Sequence, residues 1–162
     1  MPNPFTETKK YRNESLPLED IDYNVKYSMT INMEKITGNI KTDYDHYNNN
    51  IRSCLDHPGI QYEFYYEFSP IGRLHVHGTL LFTTPIGIAM FYQNLHTLQK
   101  ISTFSFDTIK EEEIWNKYLQ KQQHVMKPYF RALGLKPKVE NAVIDISVKR
   151  RRKSKPISFF PE

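Results

Sequence analysis

Polar and apolar residues alternate most regularly in two neighbouring segments. Over 60–68, Tyr62, Phe64, Tyr66 and Phe68 fall on one side, and Gln61, Glu63, Tyr65 and Glu67 on the other. Over 73–82, Leu74, Val76, Gly78, Leu80 and Phe82 share a side, opposite Arg73, His75, His77 and Thr79. A period of two sends successive side chains to opposite faces of a strand. Both segments therefore read as strands with one apolar face and one polar, solvent-facing one, as in a sheet covered on a single side. The intervening Ser69-Pro70-Ile71-Gly72 fits a three-residue hairpin loop with Gly72 in the left-handed conformation, which sets Glu67 nearly opposite His75.

The other elements are less sharply patterned. Val25, Tyr27, Met29, Ile31 and Met33 alternate through a strand over 23–33. Residues 42–55 predict a helix, weakened by Asn48, Asn49 and Asn50. Ile88, Met90, Phe91, Leu95 and Leu98 give a helix over 86–99, followed by a short strand over 101–106. Thr108 and Glu111 have capping-box spacing ahead of a helix over 109–124, with Pro128 helping to end it. A late strand is predicted over 139–148. The order strand, helix, strand, strand, helix, strand, helix predicts an α+β domain over 21–148 with a largely antiparallel sheet. A polar arm (1–20) precedes it and a tail (149–162) follows.

Charge changes this picture only at the tail. The stretch Lys149–Lys155 carries six of the 22 basic residues, so residues 1–148 are nearly balanced and the net charge of +4 belongs to the tail. Such a cluster suits a polyanion or an import receptor, or is simply a solvated charge run. Cys54 is the only cysteine, which excludes an intrachain disulfide and a multi-cysteine zinc site and suits a reducing, intracellular setting. No secretory leader and no membrane-length apolar run is evident.

The chemistry sits on the polar face. His75 and His77 project side by side from one strand, and neighbouring neutral imidazoles can share a divalent cation. Glu67, or alternatively Glu63, can add a carboxylate from the adjacent strand. Two nitrogens and one oxygen leave coordination positions open, as a catalytic metal needs. Tyr118 and Lys121, three apart, share a helix face. A tyrosine beside a metal can attack phosphorus, and a lysine one turn on adds positive charge or a proton for a departing oxygen. Thr30, Asn32, Tyr65, Arg73, Lys117 and Gln122 are candidate contacts for a nucleic-acid strand, with Tyr65 either stacking a base or serving as a plain surface residue.

His75-Val76-His77 followed by a helical Tyr118-Leu119-Gln120-Lys121 resembles the HUH endonuclease domain of rolling-circle replication initiators, the Rep proteins of circular single-stranded DNA viruses and related plasmids. Glu67 matches the position of that family's third metal ligand. Met29-Thr30-Ile31-Asn32 approximates its first motif, with Met29 where the family has an aromatic residue. The resemblance spans about residues 23–125. It implies an RNA-recognition-like, largely antiparallel sheet of five strands flanked by helices. It also implies Mn²⁺ or Mg²⁺ at the histidine pair and single-stranded DNA at an origin hairpin as partner. Attack by the tyrosine would then leave a 5′-phosphotyrosine and a free 3′-OH. The resemblance implies an intracellular setting, the host nucleus if the source is a eukaryotic virus. Viral relatives commonly carry a helicase domain, but this chain has no Gly-x-x-x-x-Gly-Lys-Ser/Thr loop, so it reads either as a nuclease domain of a longer parent chain or as a compact nuclease on its own.

Other readings stay open. A non-catalytic nucleic-acid-binding module needs aromatics on an exposed sheet face and makes no demand on Tyr118. A two-histidine phosphoesterase would need a second His-x-Thr motif, and His96-Thr97-Leu98 does not supply it. A structural interaction domain would leave the histidine pair without a ligand.

Overall fold

The computed structural model describes residues 18–141; the arm up to residue 17, most of the expected late strand and the basic tail lie outside them. Five strands form one sheet: β1 (Lys26–Met33), β2 (Ile60–Phe68), β3 (Leu74–Phe82), β4 (Ser102–Thr108) and β5 (Lys138–Glu140). Four helices accompany them: α1 (Ile40–Leu55), α2 (Pro85–Ile101), α3 (Glu112–Gln120) and α4 (Gln123–Ala132). The strand order is β4-β1-β3-β2-β5 and every neighbouring pair is antiparallel. The fold is α+β, as expected. Its first four strands and two helices form two interleaved βαβ units, the ferredoxin-like arrangement.

The β2–β3 hairpin follows its sequence pattern. Phe68 pairs with Leu74 and Glu67 with His75. Ser69 N–H donates to the Arg73 carbonyl (2.8 Å) around a loop in which Gly72 has φ +81°. Gly78 has a different job. A Cβ there would lie 2.0 Å from the Glu63 carbonyl oxygen, so only glycine lets β2 approach β3 this closely beside His77.

The apolar faces build the core. Met29, Ile31, Tyr62, Phe64, Tyr66, Val76, Leu80 and Phe104 pack against Tyr47 and Ile51 of α1 and Phe91 and Leu95 of α2. Phe130 of α4 closes one end, 5.5 Å from the Tyr66 ring centroid. The hydroxyl of Tyr47 accepts from Met33 N–H (2.9 Å) and donates to the Leu74 carbonyl (2.8 Å), which locks the ends of β1 and β3 together.

Several boundaries differ from expectation. β1 starts at Lys26 because a turn at Tyr23–Asn24, with Asn24 at φ +65°, breaks the alternation. Residues 18–20 form a short 3-10 turn rather than part of an arm. The N-cap of α3 is Glu111, without a side-chain cap bond, so Thr108 forms no capping box and instead closes β4. The helix expected over 109–124 is two helices meeting at Lys121–Gln122, and Pro128 lies inside the second rather than ending the first. Among the described residues no helix is long and apolar enough to cross a membrane.

Candidate metal centre and tyrosine helix

The polar face of the sheet is not open to solvent along its length: α3 lies across it. Three contacts pin the helix. Lys26 at the start of β1 pairs with Glu112 (2.7 Å). The Trp115 indole N–H donates to Thr79 Oγ1 on β3 (3.0 Å). Lys121, at the helix end, donates to Glu67 Oε1 on β2 (2.6 Å). Beneath the helix, Tyr65, Trp115 and Leu119 form a second, small apolar cluster. Trp115 and Leu119 are four apart and so share one stripe of the helix. That spacing, together with the one aromatic on the polar side of β2, is the signal that predicts a covered face. Period-two alternation in the strands alone does not carry it.

The expectation that both histidines face solvent is therefore corrected. They do share a face, but His77 is only 2% exposed and Glu67 only 1%. His75 is half-buried. Glu67, His75 and His77 each bring a ligand atom within 4.8 Å of the others, and form a group able to hold a metal ion. His77 Nε2 lies 2.7 Å from Glu67 Oε2, and His75 Nε2 3.9 Å from Oε1. His77 Nε2 and Glu67 Oε2 are close but lack the alignment of a hydrogen bond, and both are buried without a hydrogen-bond partner. Buried polar atoms left in this way are costly. A cation between them satisfies both, so the donor set fits a divalent metal. Glu63, the alternative ligand, is turned to Lys138 (3.0 Å) and to the Tyr65 hydroxyl (2.8 Å) instead.

Electrostatics prepare the same atoms. Burial, then the neighbouring His77, pushes His75 down to about 4. Burial also lowers His77, with Glu67 opposing. Both rings are thus neutral at pH 7, the form that ligates metal. Burial alone would raise Glu67, but His77 and Lys121 outweigh it and hold the carboxyl below its ordinary value, so it is ionised.

Tyr118 projects from α3 against this group. Its ring centroid is 5.2 Å from that of His77, and it stacks on Trp115 at 5.4 Å with the planes 22° apart. The Lys121 ammonium sits 3.9 Å from the Tyr118 centroid, so one lysine touches both the phenol ring and the ligand carboxylate. Burial, and secondarily Glu67, raises the Tyr118 hydroxyl above its ordinary value. Trp115, which sequence reasoning passed over, positions this phenol: it holds Thr79 with its nitrogen and packs one ring face on Tyr118.

The candidate strand contacts divide. Thr30, half-buried, is the cross-strand partner of His77 on β1, and Asn32 follows two residues on along the same face. Lys117 is exposed on α3. The others are otherwise engaged. Tyr65 is neither a stacking platform nor a plain surface residue, because α3 covers its ring and Glu63 takes its hydroxyl. The Arg73 guanidinium donates to the Met33 carbonyl. Gln122 accepts from Phe68 N–H and donates to Phe68 C=O (3.1 Å each), replacing a strand neighbour at the edge of β2.

No protein-family model, curated protein or solved structure matches this chain.

Proposed function

We propose that the protein is a metal-dependent tyrosine endonuclease and strand transferase that nicks and rejoins single-stranded DNA at a replication origin, as the HUH-like motifs imply. The observation that carries the reading is the packing of the Tyr118 ring on His77, a member of the buried Glu67, His75, His77 group. Three donors with open positions suit Mn²⁺ or Mg²⁺, which when bound would polarise a phosphate and offset its developing charge.

The chain's own residues do the rest. The Tyr118 oxygen attacks the scissile phosphorus and loses its proton to solvent. The phosphorus–O3′ bond breaks and the 3′ oxygen takes up a proton, which leaves a 5′-phosphotyrosine and a free 3′-OH. Reversal by another 3′-OH rejoins the strand. Lys121 supplies positive charge next to both Tyr118 and Glu67. Trp115 holds the phenol in place and keeps water from its covered face. Thr30 and Asn32, on the sheet face beside the group, are available to the incoming strand.

The test is covalent capture. Incubation with Mn²⁺ and single-stranded origin oligonucleotides should give a protein–DNA adduct on a denaturing gel with the wild type and none with Tyr118→Phe. An adduct that persists in Tyr118→Phe would move the nucleophile elsewhere. DNA binding without any adduct would favour the non-catalytic binding module.

A further inference from the structure

A cleft of about 410 Å³ opens at the β5 edge of the sheet. It lies within the size range of pockets that take small ligands or single nucleotide units. Tyr65 forms part of one wall, and its cross-strand partners are His77 on β3 and Lys138 on β5. Directly opposed residues in antiparallel strands have Cβ atoms about 5 Å apart. The cleft thus begins one strand away from the metal group, with Gln120 at the end of α3, the residue before Lys121, on its border.

The lining is cationic. Arg52, Lys127, Lys136 and Lys138 face it against one acid, Glu140. Lys138 is paired with Glu63 (3.0 Å) and Glu140 (3.5 Å), and Arg52 with Asp56 (3.7 Å). Lys127 and Lys136 are exposed and have no carboxylate partner among the described residues. Two unpaired ammonium groups at a concave surface concentrate positive potential where a flat surface would disperse it. The basic tail did not predict this, since Arg52 joins Lys127, Lys136 and Lys138 only in the fold and the first 148 residues are nearly charge-balanced.

We infer that this cleft is a backbone grip for a nucleic-acid strand, with Lys127 and Lys136 neutralising two phosphodiesters that flank the group cut at Tyr118. Its place relative to the cut rests on the nuclease reading; the grip itself requires no chemistry. The strand enters past Gln120 and Lys121, so the cleft fixes register while the metal group acts on the bond.

The test separates the grip from cleavage. Binding of a single-stranded oligothymidylate to full-length Tyr118→Phe protein is followed by fluorescence anisotropy in chelator over a range of salt. Each phosphate neutralised on a single strand contributes about 0.7 to the slope of log affinity against log salt. Adding Lys127→Ala and Lys136→Ala should flatten the slope by about 1.4, two such contacts. Lys41→Ala with Lys100→Ala, which removes the same charge from α1 and α2, should leave it as it was. An unchanged slope in the cleft variant, equal flattening in the control, or no binding before substitution would each overturn the grip. Adduct formation with an unchanged slope removes the grip alone. A flattened slope without any adduct removes the nuclease reading and leaves the grip standing.

Discussion

The two faces of the sheet come from the same alternation yet hold together differently. One face packs aromatic and aliphatic side chains against α1 and α2, with the Tyr47 and Tyr66 hydroxyls hydrogen-bonded among them. The other buries a carboxylate and an imidazole under a nine-residue helix, with three apolar residues to hold it. Burial on the first face is a source of stability. On the second it is a cost, and what offsets it is a set of specific contacts: Lys26 to Glu112, Trp115 to Thr79 and Lys121 to Glu67. Apolar residues in place of such a buried charged group as a whole are often neutral or stabilising for a fold, whereas replacing Glu67 alone would strand Lys121 and His77. The proposed metal would give that buried charge a role.

The largest contrast should appear when each face loses one side chain. Phe64→Ala on the core face should cost about 3–5 kcal/mol in chemical denaturation, equally with and without Mn²⁺. His77→Ala should cost less in chelator, because the ring it removes has a nitrogen without a partner. It should also abolish the gain from metal, which for the wild type is about 2.7 kcal/mol at a hundred times the dissociation constant. Equal metal-induced stabilisation of wild type and His77→Ala would erase the distinction between the faces.

Acid should then act mainly through the polar face. His75 falls from 6.5 to about 4 in the fold, so the unfolded chain binds more protons in between. Stability in chelator should decline as pH drops from about 6.5 towards 4, the sign required when the unfolded state takes up the proton. Glu67, lowered in the fold, adds to the loss as pH falls through its folded value. His75→Gln should shallow the upper part of that decline in melting temperature. A parallel decline in both proteins would assign the acid sensitivity elsewhere.

These faces also show what a sequence reveals and what it hides. The Glu67–His75 register was legible because Gly72 closes a short loop and the period-two pattern leaves only one consistent pairing. The clustering of Glu67, His75 and His77 follows from that register alone. The place of α3 was not legible: its landing depends on Trp115 finding Thr79 and Lys26 finding Glu112, contacts between elements distant in the chain. Tyr65 therefore looked like a surface aromatic. Gln122 read as a candidate nucleic-acid contact, though its amide substitutes for a strand on the β2 edge. The split of one expected helix into α3 and α4 has the same origin, since the corner at Lys121–Gln122 is held by side-chain bonds to β2 rather than by a local stop signal. Pro128, which reads as such a signal, sits within α4.

The central claim is that a cation and a phenol meet on the polar face, and paramagnetic relaxation by Mn²⁺ measures that meeting directly. With fluorotyrosine incorporated throughout, the Tyr118 resonance should broaden beyond detection at substoichiometric Mn²⁺, while Tyr92 on α2, across the sheet, stays sharp. His77→Ala should restore the Tyr118 signal. A Tyr118 resonance that remains sharp at saturating Mn²⁺, or broadens no more than Tyr92, would contradict the account.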